Sequence, residues 1–96
     1  MVRNFDIGQF VNALTEESVL NNMVARVKKK RKAMKISQKS LAEQSGVSYA
    51  SIRRFESTGE ISLVSLLKIA HALQCLKDFE ELFKGSSITN LKDFEG

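Results

Sequence analysis

Two adjacent arginines, Arg53 and Arg54, are the residues of this 96-residue chain best equipped for a defined chemistry. A guanidinium stays charged and presents a planar fork of donors, which matches a phosphate or the O6/N7 edge of guanine. Ala50 stands three to four residues before them and Ser57 three to four after, spacings that share one side of a helix, and Tyr49 opens the same stretch. Gln38, Lys39 and Ser48 add an amide, an ammonium and a hydroxyl upstream, and the run Lys28-Lys29-Lys30-Arg31-Lys32 lies before those. Charge is concentrated there. Positions 26–54 hold ten Lys/Arg against one acid, Glu43, a net +9, while the remainder holds five against ten, a net −5. A local excess of this kind makes a surface for a polyanion, either nucleic acid or anionic lipid. The lysine run alone has two readings, a solvated helix face or direct phosphate contacts.

Other chemistries find no residues to carry them. His71 is the single histidine and Cys75 the single cysteine, so no metal set and no intrachain disulfide can be assembled. Cys75 reads as a small buried hydrophobe in a reducing compartment. The sequence has no Gly-rich phosphate loop, and no pair of carboxylates placed for a cleft. No enzyme activity and no cofactor are expected. No apolar run approaches the roughly 20 residues of a membrane span. The lysines surround their helix instead of forming one polar face, which argues against a membrane-surface helix.

These side chains need elements to position them, and the pattern gives helices and no strands. Proline is absent. Phe5, Ile7, Phe10, Val11 and Leu14 suggest a short N-terminal helix. Thr15 reads as an N-cap followed by Glu16 and Glu17, acids suited to a helix start. Leu20, Val24, Val27, Arg31 and Met34 share one face of the helix that follows. Arg31 on that apolar face calls for an acidic partner. Ser37 caps Gln38–Ser45, with Leu41 and Ala42 inward and Gly46 ending it. Ser48 caps a helix from Tyr49 to about Glu56, and 57–60 reads as a loop. Ser62 caps Leu63–Gln74, with Leu63, Leu66, Leu67, Ala70 and Leu73 inward. A last helix, Leu76–Phe83, turns Phe79, Leu82 and Phe83 inward and ends before Gly85. The expected organisation is an extension over 1–14, one domain over 15–84 and a flexible tail over 85–96.

Two short helices joined through a glycine over 37–56 form a helix-turn-helix pattern. With Ile52 at 0°, Phe55 and Glu56 fall within about 60°, whereas Ala50 and Arg54 lie about 160° away beside Arg53 and Ser57. The outward side of the second helix is therefore small residues and arginines. The stretch SQKSLAEQSGVSYASIRRFE with the following SLVSLLKIAHAL resembles the phage repressor, Cro and xenobiotic-response-element (XRE) helix-turn-helix group, over roughly Val24–Phe83.

That resemblance implies an all-α, compact five-helix lambda-repressor-like domain, here with an extra N-terminal helix. It implies a phosphate clamp at Gln38, with Lys39 adding charge beside it and Ser48 near the DNA backbone. Tyr49, Ala50, Arg53 and Arg54 match the base-reading stretch. Glu56 matches an acid that pairs with an arginine, the position held by Arg31, so that pair is read as structural. The chain departs from the group in having Ala50 where an amide is common, and Ser57-Thr58-Gly59 where Asn-Gly often follows the glutamate. The implied function is a double-stranded-DNA-binding transcription regulator, a repressor that binds its operator as a homodimer in the cytoplasm of a bacterium or of a phage host. The alternative is an antitoxin that binds a toxin protein through the regions outside the motif and regulates its own operon.

Overall fold

Among the described residues, four of the five helices begin with the same device, a hydroxyl side chain accepting a backbone N–H one turn on. In the computed structural model, which describes residues 14–85, these helices are α1 (Glu16–Ala33), α2 (Gln38–Ser45), α3 (Tyr49–Thr58), α4 (Leu63–Ala72) and α5 (Leu76–Glu80). Thr15, Ser37, Ser48 and Ser62 accept from the N–H of Ser18, Ser40, Ser51 and Ser65 at 3.0–3.1 Å. Each bond satisfies one of the donors that a helix start leaves unpaired. At α1 the arrangement is reciprocal, because the Thr15 N–H donates back to Ser18 Oγ at 3.1 Å. α5 has no side-chain cap.

Two glycines close the motif helices. Gly46 ends α2 at φ 80° and Gly59 ends α3 at φ 87°, each N–H returning to a carbonyl four residues back. Gly46 has open space where a Cβ would stand. Gly59 does not: a Cβ there would meet Leu20 Cδ2 of α1 at 2.8 Å.

The core lies where α2, α3 and α4 meet. Leu41, Val47, Ile52, Ile69 and Leu73 form its buried cluster, with Val27, Met34, Ile36 and Ala42 packed against it. Phe55 and Ala70 are also buried. α1 packs on α3, and α5 packs on α4.

Several expectations are corrected. α3 continues two residues past Glu56 into the stretch expected as a loop, because the left-handed cap falls at Gly59. α4 stops at Ala72, and Gln74 takes φ 61° in the turn that follows. α5 stops at Glu80, well short of Phe83. Phe83 sits at φ 68° and is 96% exposed; Leu82 is half exposed. Leu63 has the right angular position but occupies the first turn of α4, where it is 66% exposed. Ile69 does the inward packing instead. Leu14 precedes α1 as an exposed residue outside any helix. The expected N-terminal helix and the tail lie outside the described residues, apart from Leu14 and Gly85.

Candidate nucleic-acid interface

Under the outward side of α3 sits a buried acid, and its neutralisation decides the character of the surface above it. Glu56 and Arg31 are both nearly inaccessible. Arg31 Nε donates to Glu56 Oε2 at 2.8 Å, and Nη2 donates to Oε1 at 2.9 Å. This two-bond fork ties α1 to α3. Arg31 Nη1 also donates to the Ile36 carbonyl at 2.9 Å, fixing the α1–α2 turn. A third donor reaches the acid from α2, Gln38 Nε2 to Oε1 at 2.8 Å. Burial pushes the Glu56 carboxyl up. The bonds from Arg31 and Gln38, with the fields of Arg31 and Lys28, outweigh it and hold the group below the ordinary glutamate range. The bond to Glu56 raises Arg31 further above its ordinary value, against the opposing effect of burial. Both side chains are therefore charged, and three helices meet at one carboxylate.

Above this pair lies a groove of about 540 Å3 lined by Lys28, Gln38, Ala50, Arg53, Arg54 and Ser57, with the paired Glu56 at its floor. Of the expected contact residues, Gln38, Ala50, Arg53, Arg54 and Ser57 thus share one surface. Tyr49 and Lys39 stand beside it. The Tyr49 ring has Arg53 5.5 Å and Lys39 6.0 Å from its centre, so cations from two helices approach one exposed aromatic. Ser48 is occupied as the α3 cap and also donates to Ser51 Oγ at 2.8 Å. Gln38 gives one amide hydrogen to Glu56, which leaves the second for an outside acceptor. Arg54 Nη2 pairs with Glu60 Oε1, both side chains being exposed.

The sequence does not mark out Lys28 or Glu60. Lys28 is one of a run of cations, although its place three residues before Arg31 puts it on the same side of α1. Glu60, which shares a neighbouring hollow with Arg54, follows a helix end, and nothing in its spacing advertises a bond to Arg54. Among the described residues no group of three or more His, Cys, Asp or Glu could hold a metal, and no helix is long and apolar enough to cross a membrane.

Two short helices crossing through a left-handed glycine, with a cationic groove on the outer side of the second, define a helix-turn-helix domain. The family model described as helix-turn-helix matches residues 27–79, more than half of the chain. The chain belongs to that family, the Cro and repressor-like XRE type, and is a DNA-binding transcription regulator. Comparison with curated proteins and with solved structures gives no match.

Proposed function

We propose that the protein is an operator-reading repressor that inserts α3 into the major groove. One observation carries this reading. Gln38, Arg53, Arg54 and Lys28 line a single groove along α3, while the acid beneath it is neutralised by Arg31. Lys28, Gln38 and Lys39 then set the register on phosphates, as does the N-terminal end of α3 at Ser48. Arg54, Arg53 and Tyr49 face base edges, and Ala50 offers a methyl group to thymine. Ser57 lies at the rim.

Binding as a homodimer places two α3 helices about 34 Å apart along one face of the duplex. The proposed dimer surface is the α1–α5 side. Met23, Val27, Ala33, Phe79 and Leu82 line an apolar groove of about 680 Å3 there, and Phe83 is bare. Uncovered apolar surface of this kind marks a contact site. The same groove supports the second reading, an antitoxin whose toxin partner takes that place.

Fluorescence anisotropy with the duplex upstream of the coding region, against a shuffled duplex at two salt concentrations, tests the main reading. Specific binding is expected to be roughly 10³-fold tighter or better. Arg54→Ala should relax preference at one base pair per half-site, whereas Lys39→Ala should weaken all sequences alike. Equal losses on both duplexes for Arg54→Ala would remove it from the reading stretch.

A further inference from the structure

Glu60 is an exposed acid that lines, with Arg54, a separate hollow of about 370 Å3, and Arg54 also lines the cationic groove, so the acid stands in an unfavourable place if its only neighbour were a phosphate. Its position is set by α3 itself. The Glu60 N–H donates to Thr58 Oγ1 at 3.1 Å, and Thr58 Oγ1 donates to the Arg54 carbonyl at 2.8 Å. Glu60 is thereby tied to the backbone of Arg54 before its side chain makes any contact. The carboxylate then closes a second link by accepting from Arg54 Nη2. Exposed ion pairs contribute little to stability, so this pair is not explained by folding. Its effect falls on the arginine. One of five guanidinium N–H donors is taken by Glu60, and four remain for the two acceptors of guanine.

We infer that Glu60 is a positioning residue for base reading: it orients the Arg54 fork and opposes its use as a loose phosphate contact. This rests on the reading of Arg54 proposed above. The carboxylate restrains the rotamer-rich side chain before DNA arrives, so less freedom is lost when a base is read. Its charge disfavours complexes in which Arg54 merely approaches the backbone. Discrimination rises for both reasons, although total affinity does not.

The test uses the full chain and selection from a randomised duplex library. Anisotropy follows on the selected duplex, its single-base variants and a shuffled duplex, for the wild type, Glu60→Ala, Glu60→Gln, Arg54→Ala and the Arg54→Ala/Glu60→Ala double variant. Glu60→Ala should flatten preference roughly five- to tenfold at the base pair that Arg54→Ala also flattens. Shuffled duplex should bind more tightly, with a salt slope steeper by up to about 0.9. Glu60→Gln, which keeps an acceptor oxygen, should retain part of the preference. In the double variant Glu60→Ala should add no further loss at that base pair. Thermal melts of the variants should match the wild type. If Glu60→Ala leaves that preference intact, or tightens every duplex equally, the positioning role is overturned while the reading of Arg54 stands. If Arg54→Ala itself flattens no base pair, the reading and the inference fall together.

Discussion

Arg31 and Glu56 form the buried ion pair that ties α1 to α3 beneath the groove proposed to read DNA. Each is buried, and each would be left as an uncompensated charge without the other. Glu56→Ala should therefore cost about 3–5 kcal/mol of stability, read as a lowered midpoint in chemical denaturation. Glu56→Gln should cost less, since it keeps the packing and an acceptor. The pair also makes stability depend on acid. The folded carboxyl lies below its ordinary value, so its contribution is complete above the usual glutamate range near pH 4.3 and is lost as pH falls through the depressed folded value. Denaturation midpoints measured between about pH 6 and pH 3 should fall for the wild type. They should fall less for Glu56→Gln; an unchanged slope in that variant would show that another group carries the effect.

The two glycine ends divide the motif into an adjustable joint and a fixed one. Both need a left-handed backbone, but only Gly59 also presses against Leu20 of α1. Gly46→Ala should cost about 1–2 kcal/mol, the backbone penalty alone. Gly59→Ala should cost clearly more, because Leu20 must move or α3 must tilt. Equal melting temperatures for the two variants would contradict this. Much of this scale was legible in advance. Serine before each short apolar run marked three helix starts, and Gly46 between two short helical patterns marked the turn that joins α2 and α3. Helix ends were less legible. Residues 57–58 carry polar side chains that suit a loop or a helix end equally, and the position of Gly59 decided between them. Phe79, Leu82 and Phe83 read as one inward face because periodicity counts residues and not what they pack against; α5 ends at Glu80, and the last two are left outside. In the site, the arginines could be found from type and spacing, and Gln38 from the resemblance of the motif to its family. Glu60 could not, because its bond to Arg54 crosses the end of a helix and follows no helical period.

Across the molecule, positive charge is divided between two sides of α1. With Lys28 at 0°, the residues of the α1–α5 groove on this helix centre on about 180°. Lys28 faces the α3 groove, while Arg26, Lys29 and Lys30 rim the apolar one. Lys28→Ala should weaken binding to every duplex and lower the salt slope by about 1. Lys29→Ala and Lys30→Ala should each have a smaller effect, measured by the same anisotropy titration. Sedimentation equilibrium separates the roles of the far side. Leu82→Asp should abolish the proposed dimer and leave the helical spectrum intact. A monomeric wild type would move that groove to the toxin-partner reading.

The helix starts have one more consequence. α1 opens with Glu16 and Glu17, but α2, α3 and α4 have neutral serine caps and no acid in the first turn. The partial positive charge at the head of α3 is therefore left unquenched. Replacing Ser48 with aspartate keeps a good cap and adds a favourable charge, so the domain should melt later. The same carboxylate would meet the phosphates first. Heat resistance engineered at this position should yield a sturdier domain with a weaker grip, a trade-off that serine avoids by capping without charge.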